Sequence, residues 1–394
     1  MLPALSGCAV PLPNYREVDR MLVIQTMGLD DNKGGVLLSL ASAADSSGGQ
    51  PPRRLFAAGD SITGAMERIF NYSYEDELFC YHVNHVLIGE AAAEAGIESY
   101  LSYICRSPSM RIDVPLFVVR GGRAADAVND IGDGGRGVSE ILESIRDKLD
   151  RRGGGRVFST ADVLLSLRRY GSALICALDC GDASQTDSQT KAEGEGGAQA
   201  GGEDKASAQE ESGGETGGKT ASVFGYAVIR EGRLCKFIEP QDALAVDFLL
   251  GDVGICDVEV RDKQGSPAVL EIDDGDARVT PVWSAPGTLG GLDIRANVSA
   301  SVLETAGSDS AGSAEYTDYL TAQLEALISQ RIQNVLQISR DLRSDFLGLA
   351  GQVERQSPDY YRLMSASFPD CLPELELSVT ISGTLTNTND MKSP

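Results

Sequence analysis

His82 and His85 are the only two imidazoles in this 394-residue chain, and Cys80, Glu90, Cys105 and Arg106 lie around them. Residues of these types can hold a zinc ion, which takes nitrogen and sulfur donors in a tetrahedral set. They can also form a thiolate–imidazole nucleophile. Spacing tells against both. Two zinc-binding histidines on a helix stand four residues apart, whereas this pair stands three apart in strand-like sequence. On a strand an odd separation sends the two rings to opposite faces, so they cannot share a metal without a bulge. A hydrolase built on Cys80 or His82 would need a third, orienting group and an oxyanion loop, and none is recognisable. No P-loop, GxGxxG, HExxH or GxSxG sequence occurs, so no cofactor is expected. Carboxylates are so plentiful here that pairs of them carry no information.

The elements that would position these residues read as follows. Leu22 to Gly28 is a buried strand with Val36 to Leu40 as its hairpin partner. Asp60 or Ser61 caps a short helix through Phe70. Leu78 to Ile88 reads as one strand, and Glu90 to Cys105 as a helix that Gly96 divides. Val114 to Arg120 and Ala173 to Leu178 are further strands, and Ser139 to Leu149 and Thr160 to Tyr170 are helices. A hairpin follows at 223–238, then a helix from Asp242 to Leu250 and short strands at 256–260, 268–272 and 278–283. From Leu292 to Val302, and again from Leu375 to Leu385, apolar residues alternate with period two, as half-buried strands do. Between these two strands, apolar residues advance by threes and fours from 328 to 349, one stripe of a long helix expected over 315–350.

The expected fold class is therefore α+β and multi-domain, with mixed sheets covered by helices and a C-terminal sheet packed on one long helix. Residues 1–15 read as a tether, 16–180 as an N-terminal α/β-type domain, 222–290 as a small β-rich middle domain and 291–394 as a C-terminal domain. Residues 181–220 contain ten glycines, nine acids, three lysines and nothing apolar larger than alanine. A segment of that composition cannot bury enough apolar surface to offset its chain entropy, so 181–221 reads as a disordered linker or insertion.

Composition narrows the partners. A formal charge of −24 argues against nucleic acid as a partner, since phosphate contacts need clustered cations, and equally against attachment to anionic lipid through basic residues. No run of about 20 apolar residues exists to span a bilayer. The eight cysteines are scattered without a CxxC pair, which speaks against structural zinc. Leu5-Ser6-Gly7-Cys8 has the form of a bacterial lipobox, in which Cys8 would carry diacylglycerol. Only Met1 to Ala4 precede it, without a charge or an apolar stretch.

The segment from His82 to Glu90, HVNHVLIGE, resembles the H-x-x-x-x-hydrophobic-x-Gly-Glu stretch of the Ger(x)C spore germination lipoproteins. The likeness continues through Gly96-Ile97 and Cys105-Arg106-Ser-Pro. Upstream, Arg16-Glu17-Val18 and Met27-Gly28-Leu29-Asp30 are similar to the family's entry sequence, with the lipobox where the family has one. Near the end of the expected long helix, Ser344-Asp345-Phe346-Leu347-Gly348 resembles the family's S-D-I-F-G signature. Two expected tryptophans are absent, with Tyr361 and Phe368 at their positions, and Ala350 replaces a second glycine.

The resemblance implies a non-enzymatic C subunit of a nutrient germinant receptor, lipid-anchored through Cys8 on the outer face of the spore inner membrane. Its implied partners are the receptor's A and B subunits. His82, Gly89, Glu90, Arg106, Asp345 and Gly348 would then be structural signature residues. The competing expectations are an extracytoplasmic solute-binding lipoprotein, which requires two hinged lobes, and the hydrolase considered above.

Overall fold

Met21–Asn32 (β1) turns through Lys33 and Gly34, both at positive φ, into Gly35–Ser42 (β2). Such a two-residue turn matches the right-handed twist of the strands it joins. The computed structural model describes residues 21–43, 52–73, 77–132, 136–182, 219–305 and 314–387. Cys8, the Arg16-Glu17-Val18 sequence and residues 183–218 lie outside the described residues.

The first sheet continues with Arg54–Gly59 (β3), Glu77–Phe79 (β4), His85–Gly89 (β5), Leu116–Arg120 (β6), Ser172–Asp182 (β7), Lys219–Arg230 (β8) and Arg233–Ile238 (β9). Its order is β3-β2-β1-β5-β6-β7-β8-β9, with β4 on the start of β1. The four central strands are parallel and each flank is an antiparallel hairpin. Parallel strands covered on both faces read as continuous apolar runs; here Val86 to Ile88 and Leu116 to Val119 are all buried. Helices Ile62–Tyr72 (α1), Glu90–Ala95 (α2), Glu98–Arg106 (α3) and Thr160–Tyr170 (α6) share one core with one face. Ala124–Asp130 (α4) and Val138–Arg152 (α5) cover the other.

The second sheet is Cys256–Arg261 (β10), Pro267–Ala285 (β11), Thr288–Thr305 (β12) and Glu376–Asn387 (β13), in that order. Its helices are Pro240–Leu250 (α7), Ala314–Asp341 (α8), Leu349–Gln356 (α9), Pro358–Met364 (α10) and Phe368–Cys371 (α11). Strand β13 runs parallel to β12, so the chain needs a crossover, and α8 to α11 supply it. The stripe of α8 (Tyr316, Leu320, Leu324, Ile328, Ile332, Val335) is buried in one core with Leu292, Ile294, Ala296 and Val298 of β12.

The mixed α/β organisation with two helix-covered sheets is the expected one. Four expectations change in detail. The middle domain does not exist as a unit: β8 is hydrogen-bonded to β7 along its length, from Ser172↔Arg230 to Asp182↔Lys219, and β11 belongs to the second sheet. Residues 183–218 therefore connect two strands of one hairpin instead of separating domains. The strands expected at 268–272 and 278–283 are one bulged strand, β11. The long helix stops at Asp341, because Arg343 takes a positive φ and Asp345 starts a new helix. The strand expected over Leu78 to Ile88 is broken by a 3-10 turn at Cys80–His82.

The two sheets are not separate bodies. Leu174, Tyr226, Val228 and Ile238 of the first sheet lie in the same buried cluster as α7, α8 and the whole second sheet.

Candidate functional site

The break at Cys80–His82 parts the two histidines for a reason other than strand alternation. His82 sits on the 3-10 turn, exposed, with its ring 5.4 Å from that of Phe79. His85 begins β5 and is wholly buried, with Nδ1 3.3 Å from Ser139 Oγ and Nε2 3.3 Å from Glu143 Oε2. Ser139 and Glu143 stand one helical turn apart on α5, so both reach the same ring.

Serine, histidine and glutamate in contact invite a triad reading, but the chemistry fails. Burial, and then the nearby Arg146 guanidinium, lower His85 to about 3, so the imidazole is a poor base at neutral pH. Ser139 is itself buried. The contact ties β5 to α5.

Cys80 fails as a nucleophile for a similar reason. It is buried, and desolvation pushes its thiol up to about 11. Only about one molecule in ten thousand then holds a thiolate at pH 7. Alkylation of the folded protein followed by mass mapping should label exposed Cys235 and spare Cys80 and Cys176. Fast labelling of Cys80 would show that the fold opens around this thiol. Among the described residues no group of three His, Cys, Asp or Glu side chains could hold a metal ion.

The signature residues do come together, at two junctions built alike. At the first, Asp30 near the end of β1 is buried and accepts the N–H groups of Ala124 and Ala125, each at 2.8 Å, at the start of α4. Burial raises its pKa while those two N–H bonds pull it back. Gly89 is the reason Asp30 fits: a Cβ there would lie 2.0 Å from Asp30 Oδ1 and 3.2 Å from the Ala124 nitrogen. The next residue, Glu90, accepts the Gly121 N–H and donates its own N–H to Gly122 O at 3.1 Å. The Gly-Glu pair thus closes the ends of β1 and β5 onto the loop that enters α4.

The second junction repeats the device. Asp345, 1% exposed, accepts the N–H groups of Leu349 (2.7 Å) and Ala350 (2.9 Å) at the start of α9. Burial outweighs those bonds and pushes its carboxyl up to about 7. Gly348 occupies the left-handed region at φ 66° that this tight entry requires. Ser339 Oγ donates to Ser344 O at 2.7 Å, which pins the end of α8 to the turn.

This second turn faces the first sheet's helices. A Cβ at Gly351 would meet Tyr170 Oη of α6 at 2.3 Å. Beside it Arg169 pairs with Glu354, and Arg230 of β8 donates to Leu342 O at 2.7 Å. A third tie lies deeper. Tyr226 Oη accepts the Arg156 N–H at 2.6 Å and donates to Asp247 of α7, whose carboxyl burial pushes up to about 7. Gly153 and Gly254 approach so closely that a Cβ at Gly153 would stand 2.8 Å from the Gly254 backbone.

Of the six signature residues expected from sequence, Gly89 and Glu90 lie at the first junction and Asp345 and Gly348 at the second. His82 and Arg106 are exposed and belong to neither. Arg106 ends α3 beside a shallow cleft lined by Leu101, Cys105 and Leu164. His82→Ala should therefore shift stability by less than about 0.5 kcal/mol. Loss of germination with an unchanged melting curve would instead make His82 a contact residue. Asp247, Tyr226 and Tyr170 were not singled out from sequence, because nothing local marks partners 21 positions apart or further.

Two family models match the chain: the spore germination protein N-terminal domain over residues 14–175, and spore germination B3/GerAC like, C-terminal, over residues 224–389. The boundary between them falls inside the first sheet, between β7 and β8. No curated protein sequence matches. The chain is similar in fold to the crystal structure of the GerBC protein, with a TM-score of 0.54 at 14% identity, over 92% of this chain and 97% of that one.

Proposed function

Because the chain belongs to the GerAC-like family of spore germination proteins, we propose that it is the C subunit of a nutrient germinant receptor, lipid-anchored through Cys8 at the outer face of the spore inner membrane. In this reading it assembles with the A and B subunits and passes on a nutrient signal without catalysis. The observation that carries the reading is the match of both family models, in order, across the two halves of the chain.

The shared core supports a transmitting role of a particular kind. Elements packed into one core move together, whereas hinged lobes absorb displacement at the hinge. Leu174, Tyr226, Val228 and Ile238 fuse the two sheets, and Asp345 and Asp247 brace the seam. A push on one sheet then reaches the other as a rigid-body shift. The same fusion argues against a solute-binding lipoprotein, whose ligand cleft lies between lobes that open. The weak base at His85 and the suppressed thiol at Cys80 argue against the hydrolase.

Diacylglycerol supplies two buried chains, enough for stable anchoring where one is marginal. Among the described residues no helix is long and apolar enough to cross a membrane, so on this reading attachment rests on the lipid and the partner subunits. Cys8→Ala should move the protein from the membrane to the soluble fraction of spores and slow nutrient germination. Affinity purification of the wild-type chain from detergent extracts should recover the A and B subunits. Recovery of neither, or normal germination by a soluble Cys8→Ala protein, would remove the proposal.

A further inference from the structure

Each sheet ends in edge strands, and three of the four edges are short, charged strands, features that discourage a further strand. Strand β3 is six residues long, begins with Arg54, and has its Ala58 carbonyl taken by the Arg68 guanidinium at 2.6 Å. Strand β9, also six residues, carries Arg233 and Lys236. Strand β10 alternates Asp257, Glu259 and Arg261 outward.

Strand β13 carries one such feature, the Glu325 carboxylate on its Gly383 N–H, and is otherwise bare. It runs twelve residues, Glu376–Asn387, or about 40 Å. After Glu376 it holds no charge, no proline and no register shift against β12. Among the described residues it has no strand on its other side.

Its burial pattern shows an unfinished sheet. Leu292, Ile294, Ala296 and Val298 of β12 are at most 2% exposed, whereas Leu377, Val379, Ile381 and Leu385 of β13 are only half-buried. Alternate residues of a strand turn their N–H groups to opposite sides of the ladder. At Gly383 the outward N–H goes to Glu325 Oε1 of α8 at 2.8 Å, so a further strand reaches that N–H only by displacing this side chain, while the other outward amides of the strand are open to it.

We infer that β13 is an association edge on which a second copy of this chain adds, β13 against β13 in antiparallel register, joining two four-stranded sheets into one. The strand is complementary to itself about a two-fold axis at Ile381. Leu377 then faces the mate's Leu385, Ser378 its Thr384, and Thr380 its Ser382. Cross-strand Leu–Leu and Thr–Ser pairs of this kind stabilise antiparallel sheets. Glu376 meets Thr386, so no like charges stand opposite one another. A two-fold interface uses the same patch on both copies and closes at two, so the edge is consumed and does not propagate. The net charge of −24 opposes the approach over long range. Salt screens that repulsion beyond about 8 Å at physiological strength, whereas the strand pairs from Leu377 to Leu385 carry no charge of their own to be screened. Association should therefore tighten as salt rises, the reverse of an interface held by ion pairs.

The test is sedimentation of the full-length protein across a concentration series at low and high salt. The expected result is a monomer–dimer equilibrium that strengthens with salt. Thr380→Lys with Thr384→Lys puts four lysines on the exposed face around the two-fold, away from α8, and should weaken dimerisation about tenfold or more. Hydrogen exchange on the unaltered protein needs no variant: the outward amides of Leu377, Val379, Ile381 and Leu385 should gain protection as the dimer fills, while the amides between them, already bonded to β12, stay as they are. A monomer at every concentration overturns the inference. So does a dimer that the lysines leave unchanged, or one whose β13 amides stay unprotected. Protection of those amides only in the presence of the other receptor subunits would assign the edge to a different chain and equally overturn it.

Discussion

Asp345→Ala should lower the stability of the folded chain by about 3 kcal/mol, measured by denaturant unfolding at pH 6. The side chain is the cap of α9, and two N–H groups at 2.7 and 2.9 Å lose their acceptor when it goes. Loss of a cap costs about 1 kcal/mol at a solvated helix end. Here the site is buried, so each amide left unpaired adds a desolvation cost of about 1–3 kcal/mol.

Asp345→Asn separates the geometry from the charge. Asparagine keeps an acceptor oxygen and imitates the protonated acid. The folded carboxyl is pushed up to about 7, against an ordinary value of 3.8. Between those values the folded chain holds a proton that the unfolded chain has released. Stability from this group is therefore fully present below about pH 4 and is lost as pH rises through about 7. Asp247 is pushed to about 7 as well and acts in the same direction. The wild-type protein should lose a few kcal/mol between pH 5 and pH 8. Asp345→Asn should lose roughly half as much, with the remainder set by Asp247. Equal slopes for the two proteins would mean that Asp345 is ionised throughout and that its N–H bonds outweigh its burial.

Gly89→Ala is the second large effect expected. One methyl group placed 2.0 Å from Asp30 Oδ1 cannot coexist with the cap of α4, and the backbone of Ala124 blocks the alternative path at 3.2 Å. Strain from overpacking a closed site costs about 1–3 kcal/mol. Displacing Asp30 strands two more amides, for a total of about 3–4 kcal/mol. A double-mutant cycle gives the decisive reading. Asp30→Ala removes the group with which the methyl clashes, so Gly89→Ala should cost at least 1 kcal/mol less in that background. Additive effects would show that Gly89 is needed for some reason other than making room for Asp30. Because the chain's two sheets share a core, both substitutions should lower one unfolding transition and not split it in two.

Some of this protein was determined by its sequence alone. Period-two alternation placed β12 and β13, and steps of three and four placed the stripe of α8, because side-chain direction follows directly from backbone geometry. Apolar runs bounded by glycine gave the central strands, and Gly96 did divide the helix after Glu90, with φ at 133°. The short motifs around Gly89-Glu90 and Asp345-Gly348 were visible as well, with no indication of what they hold.

Tertiary structure alone decided the rest, since it depends on pairings between residues distant in the chain. The hairpin at 219–238 pairs with β7 across 36 intervening residues, so no local pattern could assign it to the first sheet. Apolar residues at 342, 346 and 349 continue the spacing of a helix, yet a left-handed residue at Arg343 and the capping carboxylate of Asp345 end it. Period arguments cannot see such a stop, because Phe346 and Leu349 stay buried through the turn and Leu342 packs half-buried against the same core. The stretch from Cys80 to Glu90 looked most like chemistry because it held every imidazole. Burial decided otherwise: it drove His85 far below neutrality, silenced Cys80 and left His82 on the surface. Its last two residues proved the important ones, since Gly89 makes the space and Glu90 the bond that close β1 and β5 onto α4.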